Sequence, residues 1–360
     1  MFFVEEKLME NKKKKVPYWL FGILFLIGAL FPYLSRTFSP SKASLMIPDN
    51  AGAPSLKFYD TLLVAAFSDG TTAAWNWAAP AQPLWQFTAA SDRLVMLDKS
   101  RALAVAKAGR KDLIVFEVKT GKKLFEAPVG WEDQELWPLQ SPDQKLLAIA
   151  RINSDRDGRT VYDLMTVNPD KLTPDLPVSI DVPTAQKRFI SFAVSNDKKA
   201  VAVGSSDKHG ILTIVDLVSG KILLKKEYLD AQEFTSAAFT PDGSQIFLTN
   251  RNGHVYSIDS ITGAQKHEFI VLKPGEKNSV TNETRSDGIA ISADGRFVAA
   301  VVINIAHVWD VETGQHIFQQ LPGHKLTGAI ALSPDGSILA TSDIRASGAV
   351  KLWQVKKNDN

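Results

Sequence analysis

One kind of turn recurs seven times along the chain, each time after a short apolar run. The turns place aspartates at Asp60, Asp98, Asp143, Asp197, Asp242, Asp294 and Asp335, with gaps of 38 to 54 residues. Between them, alternating apolar runs are broken by Asp-Gly, Asn-Gly and Pro-Asp pairs, a pattern typical of β-strands joined by tight hairpins. Seven units of about 45 residues constrain the chain to a repeat architecture.

A second marker gives the same number of units. Each unit should also contain a strand that ends in a polar turn, and in most units this turn carries glycine with lysine or glutamine. The segments are AAWNW (residues 73–77), VFEVKTGKKL, LMTVNPDKL, IVDLVSGKIL, VYSIDSITGA, VWDVETGQHI and VKLWQV (residues 350–355). A four-stranded unit cannot bury both of its faces alone, whereas radial stacking buries them mutually. The sequence therefore predicts an all-β protein, a seven-bladed β-propeller of four-stranded blades over residues 43–360.

The last two units resemble WD repeats. In the WD-repeat β-propeller family a histidine, an aspartate, a serine and a tryptophan hydrogen-bond within a blade. The residues of this chain that occupy the corresponding places are His324, Ser342, Asp343 and Trp353, together with the Trp309-Asp310 pair. The resemblance implies a structural role for His324, Ser342 and Trp353. It spans roughly residues 56–355 and is specific in units five to seven, whereas units one to three lack the Gly-His and Trp-Asp pairs.

The amino-terminal region has a different composition. Residues 16–34, VPYWLFGILFLIGALFPYL, are 19 residues without a charge, close to the length that a helix needs to cross a bilayer. Lysines 12–15 precede this stretch, and basic residues beside a membrane segment tend to stay cytoplasmic. We expect residues 1–15 to form a cytoplasmic basic tail, 16–34 a transmembrane helix in the lipid bilayer, and the propeller to lie outside the cytoplasm, in the periplasm of a bacterium. A cleaved secretory signal is the alternative.

The ring predicted by the repeats needs one more strand. The last unit ends just after its third strand, and residues 43–48, ASLMIP, have strand character. We expect this segment to pair with residues 350–355 and close the ring, because an unpaired edge would otherwise be exposed. Residues 35–42 would then be a short linker that reaches at most roughly 28 Å and keeps the propeller near the membrane.

Composition excludes several classes of function. The chain has 41 basic and 39 acidic residues, and the first 36 residues hold six of the basic and three of the acidic ones. The remainder is close to neutral, so no electrostatic case for nucleic acid exists. The absence of cysteine excludes disulfides, thiolate metal sites and a cysteine nucleophile.

No motif in the sequence predicts catalysis, a metal or a cofactor. The six histidines lack the spacing of a metal site. Propeller enzymes are a weak alternative, because Phe125 replaces the tryptophan that follows Thr-Gly-Lys in quinone dehydrogenases. Ser68-Asp69-Gly70-Thr71 lacks the spacing of a sialidase aspartate box. We therefore expect the protein not to be an enzyme.

Partner binding is the function that remains. Three stretches, 153–159, 169–187 and 273–287, exceed what a compact blade requires and are expected as surface loops. The candidate partner-binding residues are two tryptophans between units two and three and four arginines near predicted strand ends that could rim the central channel: Trp131, Trp137, Arg151, Arg188, Arg285 and Arg345. The leading hypothesis is a protein–protein interaction scaffold with membrane proteins as partners, and the alternative is an envelope sensor that captures a ligand in its channel.

Overall fold

The computed structural model describes most of the region that carries the repeats. The described residues are 43–45, 52–53, 55–80, 82–88, 91–98, 100–106, 112–128, 136–143, 145–156, 159–168, 173–183, 191–206, 209–228, 234–250, 254–270, 288–302, 305–320, 327–343 and 350–355. They all belong to one compact unit, Ser39–Asn360. Within these residues no helix is long and apolar enough to cross a membrane. The predicted tail, transmembrane helix and linker (1–15, 16–34 and 35–42) lie outside them.

The described chain consists of short strands that form seven antiparallel sheets. After β1 (Ala43–Leu45), the first three sheets contain β2 (Ser55–Tyr59), β3 (Leu62–Ala66), β4 (Thr71–Asn76) and β5 (Trp85–Thr88); β6 (Ser91–Met96), β7 (Arg101–Ala106), β8 (Asp112–Glu117) and β9 (Lys123–Pro128); and β10 (Leu136–Gln140), β11 (Leu147–Arg156), β12 (Arg159–Asn168), β13 (Thr173–Pro174) and β14 (Val178–Pro183).

The last four sheets continue the same order. They contain β15 (Ser191–Val194), β16 (Lys199–Ser206), β17 (His209–Asp216) and β18 (Ile222–Tyr228); β19 (Phe234–Phe239), β20 (Gln245–Asn250), β21 (His254–Asp259) and β22 (Gln265–Ile270); β23 (Ile289–Ile291), β24 (Phe297–Val302), β25 (Ile305–Asp310) and β26 (His316–Gln320); and β27 (Thr327–Leu332), β28 (Ile338–Asp343) and β29 (Val350–Gln354), with β1.

The seven sheets are the blades of a closed ring. The first strand of each sheet contacts the first strand of the next, in the order β2, β6, β10, β15, β19, β23, β27 and back to β2. First strands therefore surround the axis and fourth strands form the outer edge, so the predicted all-β, seven-bladed propeller of four-stranded blades is confirmed. Because neighbouring strands are antiparallel, the turns between first and second and between third and fourth strands lie on one face, which we call the turn face.

The seventh blade contains strands from both ends of the described chain. β1 pairs antiparallel with β29, with Ala43 opposite Leu352 and Leu45 opposite Val350. The three residues of β1 fall within the range 43–48, in which the sequence predicted a closing strand. Residues 46–48 lie outside the described residues. β1 thus occupies the fourth-strand position and covers the edge of β29.

The hydrophobic core lies between the blades and not within any one of them. Leu56, Phe58 and Leu63 of blade 1 are buried in one cluster with Val350 and Leu352 of blade 7. Comparable clusters join blades 1 and 2, 3 and 4, 4 and 5, 5 and 6, and 6 and 7. Each blade therefore depends on its neighbours for the burial that stabilises it.

The third blade departs from the sequence expectation. Residues 153–156 extend β11 and residue 159 begins β12, so this stretch lengthens a hairpin and is not a loop insertion. The stretch 169–187 contains β13 and β14, both of which pair with β12. The expectation of surface loops was wrong for residues 153–156, 173–174 and 178–183, because their main chains form ladder bonds with β12. Residues 157–158, 169–172 and 184–187 lie outside the described residues. The third stretch, 273–287, lies outside the described residues.

Candidate functional site

The central channel encloses a cavity of about 290 Å³ lined by all seven first strands. Most of the lining is apolar or small, and Lys57 and Arg93 are its charged members among the described residues. Both side chains are half-buried. The described lining contains no carboxylate and no histidine, so the chemistry that these residues offer is binding of an anionic or apolar group.

Among the residues that the structure describes, no group of three or more histidine, cysteine, aspartate or glutamate side chains is placed to hold a metal ion.

The seven marker aspartates all lie in the turn between the first and second strands of their blades. In blades 3 to 7 the hydroxyl two residues earlier donates to the carboxylate, as from Thr240 to Asp242 at 2.6 Å and from Ser333 to Asp335 at 2.7 Å. Burial alone would raise the pKa of Asp242, but the hydrogen bonds from Thr240 and Ser244 outweigh it, and the pKa lies below its ordinary value. These aspartates hold turns in place and account for the repeat.

A second turn recurs between the third and fourth strands. In blades 4, 5 and 6 an aspartate accepts hydrogen bonds from the main chain and hydroxyl of the serine or threonine three residues later, and glycine follows: Asp216-Ser219-Gly220, Asp259-Thr262-Gly263 and Asp310-Thr313-Gly314. These bonds, chiefly from the main chain of Thr262, hold the pKa of Asp259 well below its ordinary value.

In blade 2 the same turn is closed by Gly121, which has φ +70°. A Cβ there would come within 2.5 Å of the Trp85 ring of blade 1. Glycine thus permits both the turn and the close approach of adjacent blades.

The described residues of blade 7 that the WD-repeat resemblance identified each form hydrogen bonds with a different group. Trp353 is buried, and its Nε1 donates to Thr341 Oγ1 at 3.0 Å. Ser342 accepts from the main-chain nitrogen of Ala329 at 3.1 Å and donates to the main-chain oxygen of Ala53. Asp343 is buried and its main-chain oxygen accepts from the nitrogen of Ala53 at 2.9 Å. His324 lies outside the described residues.

Trp309 and Asp310 lie at the end of β25. Asp310 binds the turn at Thr313, and Arg296 donates to it at 3.3 Å. Trp309 is buried and stacks on His307, with ring centroids 5.4 Å apart. The pair thus joins a turn to the core between blades 5 and 6.

His307 forms a buried pair with His316 that sequence reasoning did not find. His307 Nδ1 lies 3.1 Å from His316 Nε2. Burial, and next the charge of His316, lower the pKa of His307 to about 3. Burial also lowers the pKa of His316. A hydrogen bond between two ring nitrogens requires at least one neutral ring as acceptor, so the pair is suited to packing at neutral pH.

Most of the predicted partner-binding residues lie where the structure gives no side chain. Trp131, Arg188, Arg285 and Arg345 are outside the described residues. Trp137 belongs to β10, the first strand of blade 3, where it is paired with Ala150, and its side chain is not among those described.

Arg151 lies in the second strand of blade 3 and is not in the channel lining. Its guanidinium donates to Asp163 at 3.0 Å, and Ser179 donates to the other oxygen of the same buried carboxylate at 2.7 Å. The carboxylate of Asp163 therefore joins three strands of one blade. Arg93 and Lys57 are the cations of the described channel lining.

The outer edge of the ring exposes large apolar side chains that the sequence analysis did not single out. In the described residues they are Leu84, Leu124, Phe125, Leu176, Val218, Ile222, Leu223 and Ile261. They lie on blades 1 to 5 at the start of fourth strands or in the turn before them. Aligning the third-to-fourth-strand turns would have revealed Val218 and Ile261, because blades 2 and 6 carry the charged residues Lys119 and Glu312 at that position.

Comparisons with known proteins yield a structural match alone. No family model matches the chain, and no curated protein matches it. Solved structures do match, among them the crystal structure of the Cps50 (Swd1) β-propeller domain of Myceliophteria thermophila. Its TM-score is 0.59 with 16% sequence identity, over 84% of this chain and 97% of that domain. At this identity the similarity bears on the fold, and the chain shares the β-propeller fold of that domain.

Proposed function

We propose that the protein is a non-catalytic protein–protein interaction scaffold, a subunit or assembly factor of a membrane protein complex. In this proposal residues 16–34 anchor the chain, the amino terminus is cytoplasmic, and the propeller lies close to the membrane on the other side. The partners are other membrane proteins, no nucleic acid or cofactor is involved, and the six blade residues named above serve structure.

The observation that carries this proposal is a patch of exposed apolar side chains on blades 1 and 2. We call Leu84, Leu124 and Phe125 the partner patch; each has about half of its surface exposed. The two blades adjoin here, since Gly121 packs against Trp85 and the Lys123 ammonium lies 5.9 Å from the Phe87 ring centroid. Clustered exposed apolar side chains on a rigid scaffold favour a protein partner.

The test is a pull-down in mild detergent of the full-length protein from its native membrane, followed by mass spectrometry. We expect stoichiometric recovery of other membrane proteins, and loss of that recovery when Leu124 and Phe125 become serine. Leu223→Ser is the matched control, because Leu223 occupies on β18 the place of Leu124 on β9 and is similarly exposed. A protein recovered alone from its membrane would contradict the scaffold function.

The same pull-down experiment also tests the two tryptophans that the sequence predicts as partner-binding residues. Trp131 and Trp137 stay candidate partner residues, as do Arg188, Arg285 and Arg345. Replacing both tryptophans by alanine tests whether the protein has a second partner surface, apart from the partner patch.

A second candidate function is capture of an anionic ligand in the channel, favoured by the two cations of its described lining. Binding of citrate or inorganic phosphate, measured by calorimetry on the full-length protein and lost in Lys57→Gln, would support it. Equal heats with the Lys57→Gln variant would contradict it.

A further inference from the structure

Four apolar side chains lie at the outer edge of blades 3, 4 and 5, near the turn face. We call Leu176, Val218, Ile222 and Ile261 the apolar rim. Leu176, Val218 and Ile261 are 91%, 73% and 76% exposed, which is more than any member of the partner patch. Exposure of single apolar residues is ordinary, but a contiguous set of them marks an interaction site.

The apolar rim is contiguous across its three blades. Val178 follows Leu176 by two residues. Its Cγ1 lies 3.8 Å from the point that a Cβ would occupy on Gly220, in the turn that carries Val218. Leu224 follows Ile222 by two residues. Its Cδ2 lies 2.8 Å from the point that a Cβ would occupy on Gly263, in the turn that carries Ile261. Each fourth strand therefore meets the turn of the next blade, and the exposed side chains follow one another along the edge.

The turns themselves do not require apolar residues at their tips. Val218 and Ile261 are the second residue after the turn aspartate, and the equivalent residues of blades 2 and 6 are Lys119 and Glu312, both exposed. The turn is held by the aspartate and the following serine or threonine in blades 4, 5 and 6, and by Glu117 and Thr120 in blade 2. The apolar tips thus belong to blades 4 and 5 and not to the fold.

The position of Ala43 favours a membrane as the occupant. Because β1 is the fourth strand of blade 7, it begins at the turn face, so Ala43 lies at the end of the strand nearer that face. In a ring of seven, blade 7 lies across the axis from blades 3 and 4. The eight residues 35–42 span at most roughly 28 Å, so a bilayer that holds residues 16–34 lies within that distance of Ala43.

Charges beside the apolar rim are compatible with a lipid surface. Lys221 and Lys225 are exposed on either side of Ile222 and Leu223, where long cationic side chains can reach lipid headgroups. The carboxylates of Asp216 and Asp259 are bound to their own turns, and Asp259 also pairs with Lys266 at 3.3 Å. The exposed carboxylate of Asp175, beside Leu176, accepts a hydrogen bond from Thr166. The tips project from neighbouring blades along one edge, and this suits a deformable bilayer, since a rigid protein partner would need a matching concavity for each tip.

We propose that the apolar rim inserts into the headgroup and acyl boundary of the bilayer, so that the propeller lies with its turn face on the membrane. This inference rests on the proposed membrane anchoring. Attachment at blade 7 and insertion at blades 3 to 5 hold the face at two opposite points, which leaves the partner patch on the side of the ring.

Single-cysteine labelling tests this orientation, because the chain contains no cysteine of its own. Val218→Cys and Ile261→Cys variants of the full-length protein are labelled with the fluorophore NBD and reconstituted into phosphatidylcholine vesicles, with and without lipids spin-labelled on the acyl chain. Lys119→Cys is the matched control at the same turn position in blade 2. Thr88→Cys, at the end of β5 on the opposite face, is the distant control.

We expect a blue shift and quenching by spin-labelled lipid at positions 218 and 261, weaker quenching at 119, and none at 88. Each variant should keep the melting temperature of the parent protein. Vesicles that carry the protein through an alkaline wash while positions 218 and 261 stay unquenched would overturn the orientation and leave the anchor intact. Protein that is washed off the vesicles would overturn the anchor itself, and with it this inference.

Discussion

The side-chain hydroxyl of Ser342 donates a hydrogen bond to the main-chain oxygen of Ala53, 289 residues earlier in the chain. The nitrogen of Ala53 in turn donates to the main-chain oxygen of Asp343 at 2.9 Å. Both bonds join the second strand of blade 7 to the segment that leads into blade 1, and all these groups are buried. Ring closure therefore depends on polar contacts as well as on β1.

Replacing Ser342 by alanine should lower the free energy of unfolding by about 1–3 kcal/mol, because the oxygen of Ala53 and the nitrogen of Ala329 would lose a buried partner. Urea denaturation measures the change. Thr88→Ala, at an exposed position on β5, is the control and should unfold like the parent protein. Equal stability of the two variants would mean that other contacts close the ring.

Deleting residues 43–48 should lower the melting temperature by several degrees. The deletion removes the fourth strand of blade 7 and exposes the edge of β29. Circular dichroism of the full-length protein measures the change, and replacing residues 35–42 by a Gly/Ser linker of equal length is the control. An unchanged melting curve after the deletion would show that β1 does not stabilise the ring.

Acidification should destabilise the core between blades 5 and 6 through His307. Its pKa is about 3 in the folded protein and near 6.5 when unfolded, so the unfolded chain binds the proton more readily. The contribution of His307 to the free energy of unfolding is fully present above pH 6.5 and is lost as the pH falls towards 3. The turn aspartates, whose pKa values are lowered, begin to lose their contribution only near their unfolded pKa of 3.8.

Melting temperatures between pH 7 and pH 4.5 therefore isolate the histidines. His307→Phe should flatten the decline over this range, since it keeps a ring beside Trp309 and removes the proton-binding group. His209→Phe is a control at a half-buried histidine of blade 4. A parallel decline in the His307→Phe variant and the parent would assign the pH dependence to other groups.

Replacing Arg151 by leucine should cost about 3 kcal/mol of unfolding free energy, because the carboxylate of Asp163 is 1% exposed and would lose its charged partner. Joint replacement of Arg151 and Asp163 by leucine should recover much of that loss. Lys145→Leu, which breaks an exposed pair with Asp143 at 3.8 Å, should change stability by less than about 1 kcal/mol. Similar losses in both single variants would contradict this interpretation of Arg151.

The repeat could be recognised in the sequence because the aspartates that mark it form hydrogen bonds within their own turns. Asp242 and Asp335 are fixed by local hydrogen bonds, so the residue type recurs wherever the turn recurs. Blade 3 was harder to interpret, because the strand Val178–Pro183 is bounded by prolines and pairs with β12 beside the short β13. Pairing of that kind is decided by the neighbouring strand, which no local pattern reveals.

The surface features were less predictable than the fold. An exposed valine at position 218 looks like any apolar residue until the turn around it is known. Arg151 was expected near the channel because it lies near a strand end, yet it pairs with Asp163 of the adjoining strand. Burial and partner identity depend on the neighbouring strands, whereas the turn motifs depend on four or five consecutive residues.

The pairing of β1 with β29 also orders events during synthesis. The first strand of the ring to leave the ribosome is paired with the last, so blade 7 stays incomplete until β29 has been synthesised. Its partner residues are separated by almost the whole chain, and such distant pairings form slowly. Until β29 has formed, β1 lacks its partner strand and the ring remains open.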